Sequence, residues 1–271
     1  AKPREGVDFF PLSVDFEEKL YSVGKIPGGF NKREGKASEN AVLTSRVIDR
    51  PMRPLFPKDY RNDVTLNNLV MSVDPECSPE LTAMLGSAIA TAISDIPFDG
   101  PCAMTQIGLI DGEFIVNPTY EEQETSDLEL TIAGTADYIS MVEAGANEVS
   151  EDLMLRAMDF GQQAIAKFCE AQQRFLDRCD ITPVEWPIHV ADPSIDERIS
   201  PFFDEMSQAL SDADKQARMG KVEELKARIK EESFNEEELA AWGSDIAAAL
   251  KALEKKAMRA MVIETGERAD G

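Results

Sequence analysis

The sequence predicts an α+β domain followed by a small all-helical one. Short apolar runs at strand spacing alternate irregularly with helical patterns up to about Pro183. Within them, Asp111-Gly112 stands between two apolar runs, a strong hairpin signal. After Pro187 the strand signal fades and Ala, Glu, Lys, Leu and Met dominate, a composition that favours helix. With 271 residues, 43% of them hydrophobic and 29% charged, the chain has an ordinary globular composition and room for about two domains.

Taken in order, Val7 to Phe16 reads as an extended strand with alternate apolar positions towards its end. It begins with no capping turn, so it is expected in the middle of a sheet, with the start of its domain ahead of Ala1. Lys25 to Lys36 holds glycines and a proline around Phe30 and several cations, and reads as a loop. Ser38 is expected to cap a helix with Val42, Leu43, Val47 and Ile48 on one face and Arg46, Arg50 and Arg53 on another. Pro51, Pro54 and Pro57 are expected to end it. Val64 to Val73 is the next strand, followed by a helix over Pro79 to Ser94 whose small residues suit close packing on a sheet. Met104–Ile110 and Glu113–Val116 form the hairpin, Leu128–Ala133 and Tyr138–Glu143 two further strands, and Ser150 begins a long helix reaching about Leu176. Asn235 with Glu238 three residues on is a capping-box start, after which Leu239, Trp242, Ile246, Leu250 and Leu253 continue at helical spacing. Glu264 to Gly271 reads as an exposed linker.

The charge is unevenly distributed. The net charge is −23, yet residues 1–60 carry 11 basic and 9 acidic side chains, against 17 and 42 in the remainder. Between Lys19 and Lys58 there are nine cations and three anions. An acidic surface repels a polyanion at long range, so a nucleic-acid or phosphate site must be a concentrated positive patch, and only this stretch qualifies. The competing reading is internal salt bridging, which is preferred for Arg50.

Other chemistries are disfavoured. Cys77, Cys102, Cys169 and Cys179 form no C-x-x-C pair and the single His189 has no cysteine nearby, so free, partly buried thiols are expected rather than zinc or disulfides. One histidine also argues against a Ser-His-Asp triad. No stretch approaches the roughly 18 apolar residues of a membrane span, and no signal peptide is visible, so no membrane association and a cytoplasmic location are expected. Glu121, Glu122, Glu124, Asp127 and Glu129 resemble a Mg²⁺ cluster, but such acidic runs are more often solvated loops.

The loop around Phe30, Lys32, Arg33 and Lys36 combines an aromatic face for stacking a base with cations for phosphates, the two needs of single-stranded RNA recognition. Arg46 and Arg53, at helical spacing, extend that surface with guanidinium groups suited to phosphate oxygens.

The run Asp8-Phe9-Phe10-Pro11-Leu12, Lys25-Ile26-Pro27-Gly28-Gly29-Phe30, Arg33-Glu34-Gly35 and Ile48-Asp49-Arg50-Pro51-Met52-Arg53-Pro54-Leu55-Phe56-Pro57 resembles the bacterial polynucleotide phosphorylase family. Asp95-Ile96-Pro97-Phe98-Asp99-Gly100-Pro101, Val116-Asn117-Pro118-Thr119 and Ala133-Gly134-Thr135 extend the resemblance over nearly the whole chain. It implies a ribonuclease PH-like domain, a mixed sheet with packed helices akin to a ribosomal protein fold, lacking its opening strands (residues 1–145). A long connecting helix (146–183), an all-helical domain (184–264) and a linker to an absent second PH-type domain (265–271) follow. It also implies phosphorolytic 3′-to-5′ exoribonuclease activity on single-stranded RNA, with inorganic phosphate, nucleoside diphosphates, Mg²⁺, a homotrimeric ring and RNA-degradation partners.

By the same resemblance, Phe30 matches the first aromatic and Arg33 the second arginine of the family's channel loop, while Lys32 replaces the first arginine and Asn31 the second aromatic. Lys36 and Arg53 match basic positions implicated in RNA contact. Glu121 and Asp127 fall where a catalytically silent copy of the metal site would lie. The chemistry is therefore expected in the absent domain, and this chain is expected to supply RNA-channel contacts and scaffold. The alternative is a non-enzymatic assembly or RNA-binding module.

Overall fold

The structure is a computed structural model that describes residues 9–28, 35–74, 76–182, 184–186, 188–266 and 268. Two compact units, Ala1–Ile188 and His189–Gly271, divide the chain.

In the first unit β1 (Leu12–Glu18) pairs in parallel with β2 (Val64–Val70), from Leu12 opposite Val64 to Glu18 opposite Val70. The strand begins later than the expected Val7 because Pro11 cannot donate to a ladder and the Leu12 N–H turns back onto the Phe10 carbonyl; Val7 and Asp8 lie outside the described residues.

Helix α1 (Glu39–Met52) connects the two strands, with the Ser38 side chain accepting from the Ala41 N–H at 3.0 Å. Its buried face is Ala41, Thr44, Ile48, Pro51 and Met52. This differs from expectation: Val42 and Leu43 are about half exposed, because the apolar stripe is centred one position away from them. Pro51 also sits inside the helix rather than ending it. A proline removes only its own N–H, and the Arg53 N–H still donates to the Asp49 carbonyl.

Helix α2 (Pro79–Ala92), capped by Ser78, follows β2. The second sheet has the order β4-β3-β5-β6 and is antiparallel, built from β3 (Ala103–Ile110), β4 (Glu113–Val116), β5 (Leu128–Gly134) and β6 (Ile139–Ala146). Parallel and antiparallel pairings thus both occur, in separate sheets among the described residues. Asp111 and Gly112, at φ 49° and 82°, make the turn between β3 and β4. A short helix, α3 (Tyr120–Gln123), precedes β5.

One face of this sheet, with Ile107, Leu130 and Ile132, packs against α4 (Glu151–Leu176) through Ala157, Ile165 and Cys169. Gly161 permits the close approach: a Cβ there would stand 2.4 Å from Ile132 Cδ1. The opposite face contributes Met104, Ala133 and Met141 to a second core shared with α1, α2, β1 and β2. Each large apolar side chain fully buried in these cores contributes about 1.5–3 kcal/mol.

The second unit is helical, with α5 (Pro193–Ile199), α6 (Phe203–Leu210), α7 (Lys215–Ser233) and α8 (Glu236–Thr265) closing around Ile195, Ile199, Met206, Ile229, Ile246 and Leu250. The Asn235–Glu238 capping box is present. Trp242 departs from helical angles and kinks α8, so the helical spacing read through it is interrupted there. The helix also takes in Glu264 and Thr265, the first residues of the expected linker, and closes on Gly266 at φ 73°, a left-handed angle that glycine adopts without strain. No helix among the described residues is long and apolar enough to cross a membrane.

Candidate nucleic-acid interface

Of the residues expected to contact RNA, Phe30, Lys32 and Arg33 lie outside the described residues. Lys36 is exposed two residues ahead of the Ser38 cap, and Arg46 is exposed midway along α1. Neither forms a hydrogen bond or ion pair with a described residue.

The two arginines further along are engaged. Arg50 lies 3.8 Å from Glu143 of β6, a half-exposed pair. Arg53 holds Asp49 through Nε at 3.0 Å and Nη2 at 2.6 Å, and donates to the carbonyls of Phe10 and Leu12, both at 3.1 Å. Its guanidinium also lies 5.9 Å from the Phe10 ring centre. Arg53 therefore ties the start of β1 to the end of α1 and stays partly exposed.

Beside Arg46 and Arg50 opens a groove of about 620 Å³ between α1, the start of α2, the sheet and α3. Its floor follows from the strand register. The row Met104, Ala133, Met141 is apolar and lies under α1, whereas the next row on the same face is Gln106, Thr131, Glu143, with Glu129 beyond it. Gln123 Nε2 donates to Gln106 Oε1 at 3.1 Å and to the Pro118 carbonyl at 3.0 Å, and Gln106 Nε2 donates to Glu129 Oε1 at 3.3 Å. The amide chain has a fixed direction that ends on a carboxylate. Tyr120 stands at the rim, where burial and the carboxylates of Glu80 and Glu18 push its hydroxyl above the ordinary value, so it remains a donor at neutral pH.

The acidic run is dispersed by the fold. Glu122 is spent on a capping box with Thr119, Glu121, Glu124 and Asp127 are exposed, and only Glu129 faces the groove. No three His, Cys, Asp or Glu side chains among the described residues converge as a metal site requires. The described residues therefore do not fit a resident Mg²⁺.

Functional candidates without a sequence signal include Gln106, Gln123 and Thr131, which no local pattern connects. In the helical unit His189 Nε2 lies 2.8 Å from Asp245. The cysteines are free, with Cys102 and Cys169 buried and Cys77 exposed.

Residues 1–97 match the 3′ exoribonuclease family, domain 1, residues 100–164 match domain 2 of that family, and residues 194–271 match the RNA binding domain of polyribonucleotide nucleotidyltransferase. A polyribonucleotide nucleotidyltransferase of Lachnoclostridium phytofermentans is 54% identical over 281 residues, covering all of this chain and 39% of that protein. Another, of Listeria welshimeri, is 48% identical over 276 residues, again covering all of this chain and 38% of that protein. The chain spans about two fifths of the length of these curated relatives. A crystal structure of rice (Oryza sativa) Rrp46 aligns with a TM-score of 0.49 at 13% identity, over 64% of this chain and 77% of that one.

Proposed function

This chain belongs to the polyribonucleotide nucleotidyltransferase family of 3′ exoribonucleases, and on that premise we propose that it guides single-stranded RNA within a phosphorolytic 3′-to-5′ exoribonuclease whose chemical step lies elsewhere. In this reading residues 1–145 form the first ribonuclease PH-type domain, residues 146–183 the connecting helix, residues 184–264 the helical domain and residues 265–271 a linker to a second PH-type domain. Inorganic phosphate attacks the terminal phosphodiester and releases nucleoside diphosphates, carboxylates outside the described residues would hold the Mg²⁺ whose charge would offset that of the phosphates, and three copies ring a channel in the cytoplasm.

The supporting observation is the division of labour along α1. Arg53 and Arg50 have acidic partners, while Arg46 and Lys36, on the same cation-rich stretch, have none among the described residues. An exposed cation without an acidic partner is left for an anion from outside to neutralise. Phe30, Lys32 and Arg33 adjoin that stretch in sequence and supply the stacking face and further phosphate contacts. Phosphorolysis also needs a held phosphate and a metal, and the described carboxylates do not converge on one.

Two measurements test this. Given RNA, phosphate and Mg²⁺, the 271-residue chain is expected to release no nucleoside diphosphates, and release would overturn the assignment of chemistry elsewhere. In the complete enzyme, Phe30→Ala with Arg33→Ala is expected to weaken processive degradation of long RNA. Unchanged processivity and affinity would remove the channel role.

A further inference from the structure

We propose that the groove beside α1 is a binding site for a single nucleoside phosphate, with the phosphate on Arg46 and Arg50 and the base against Gln106, Glu129 and Tyr120. The inference rests on the reading above only in assigning Arg46 to phosphate; the groove itself is a separate site from the Phe30 loop.

The volume of about 620 Å³ falls within the range of roughly 300–1,000 Å³ that small-ligand sites occupy. The polarity of its floor needs an explanation. The sheet face is apolar one row away, at Met104, Ala133 and Met141, and turns polar where the groove begins. Gly108 and Gly145 lie opposite Glu129 in the register; Pro118 and Ser126 close over Gly108, whereas a Cβ on Gly145 would meet nothing within 4 Å. On the Gly145 side, which lines the groove, space is thus left beside the hydrogen-bonding groups rather than filled by packing.

The groups are arranged with opposite character at the two sides. On α1 there are guanidinium donors, Arg46 without a described partner and Arg50 held by Glu143 only at 3.8 Å, a half-exposed contact that a phosphate can displace at little cost. On the floor, both Gln123 Nε2 hydrogens are consumed, by Gln106 and Pro118, which fixes the orientation of the amide chain. One Gln106 N–H and the second Glu129 oxygen then remain for a ligand, an adjacent donor and acceptor of the kind that pairs with the edge of a nucleobase. Tyr120, about half exposed at the rim, offers a ring face. A bare inorganic anion would use only the arginines and meet the carboxylates of Glu80, Glu129 and Glu143 unfavourably, whereas a nucleotide places its uncharged base beside them.

Isothermal titration of the 271-residue chain with nucleoside 5′-monophosphates, uncharged nucleosides and inorganic phosphate reads the site directly. Binding of at least one monophosphate is expected, tighter than phosphate or the nucleoside, with Arg46→Ala and Gln106→Leu each weakening it about tenfold or more. Glu129→Gln, isosteric and exposed on its strand, is the second floor variant; thermal melts confirm that each variant folds. No monophosphate binding, or equal binding by all three folded variants and the parent chain, would overturn the proposal. If an RNA oligonucleotide still binds in that case and Phe30→Ala weakens it, the channel reading survives and only the groove fails. The source of the nucleotide is read by competition: displacement of bound monophosphate by the oligonucleotide identifies an RNA end, and simultaneous binding identifies a free nucleotide.

Discussion

Arg46 and Arg53 lie seven residues apart on one cationic face and are predicted to fail in different ways. Arg53→Ala removes the hydrogen bonds to Asp49 and to the Phe10 and Leu12 carbonyls. Because the site is partly exposed, water replaces some of them, and the expected cost is about 1 kcal/mol of stability, measurable by urea unfolding. Arg46→Ala is expected to leave stability within about 0.5 kcal/mol while weakening RNA binding. The opposite pattern in the two variants would refute this division. The thiols give a pH prediction at the same scale. Burial pushes Cys102 up to about 12, and burial with the nearby Asp137 charge pushes Cys169 up to about 11, from an ordinary value near 9. The unfolded chain therefore ionises first as pH rises. The contribution of these thiols is full below about pH 9 and is lost between there and about pH 12, so alkaline unfolding is expected to weaken in Cys102→Ala relative to the parent. In the folded protein at pH 8, exposed Cys77 is expected to react with a thiol reagent while Cys102 and Cys169 do not, and equal reactivity of all three would contradict the burial.

Among the elements, α4 depends on its approach to the sheet. Gly161→Ala gains about 1 kcal/mol of helix propensity but forces a Cβ to 2.4 Å from Ile132 Cδ1 and 3.1 Å from Ile107 Cγ1, both in a filled core. Overpacking of this kind costs about 1–3 kcal/mol, so a net destabilisation is expected, whereas Gly220→Ala in α7, with nothing within 4 Å, is expected to stabilise. A raised melting temperature for the Gly161 variant would show that the core yields. The caps at Ser38, Ser150 and Asn235 were legible in the sequence because a cap and its N–H partner lie three residues apart. The β3–β4 hairpin was legible for a similar reason, since its turn residues set its register. The groove was not. Gln106 and Glu129 meet only through the pairing of β3 with β5, and Gln123 reaches Gln106 from α3, relations between elements that no window of sequence displays. Glu122 belongs by sequence to an acidic run, yet its partner Thr119 makes it part of a cap. The burial of Thr44 and Pro51 in place of Val42 and Leu43 likewise depends on where α1 lies against β1 and β6, and apolar periodicity alone leaves that rotation undetermined by one residue.

For the whole molecule, the decisive property is that a chain of net charge −23 concentrates nine cations against three anions between Lys19 and Lys58. Its surface repels RNA at long range, so the interaction must be local and salt-dependent. The matched family domains cover nearly all of the chain, and the stretch of uneven charge lies in the first of them. Fluorescence anisotropy of a labelled single-stranded RNA against salt concentration, for the parent chain and for a folded Lys32→Ala, Arg33→Ala, Arg46→Ala variant, addresses the guiding role most directly. The parent is expected to bind with affinity falling linearly on a log–log plot, and the variant to bind more weakly with a slope shallower by about 2, since each phosphate neutralised on a single strand accounts for about 0.7. Superimposable curves for the two proteins would contradict it.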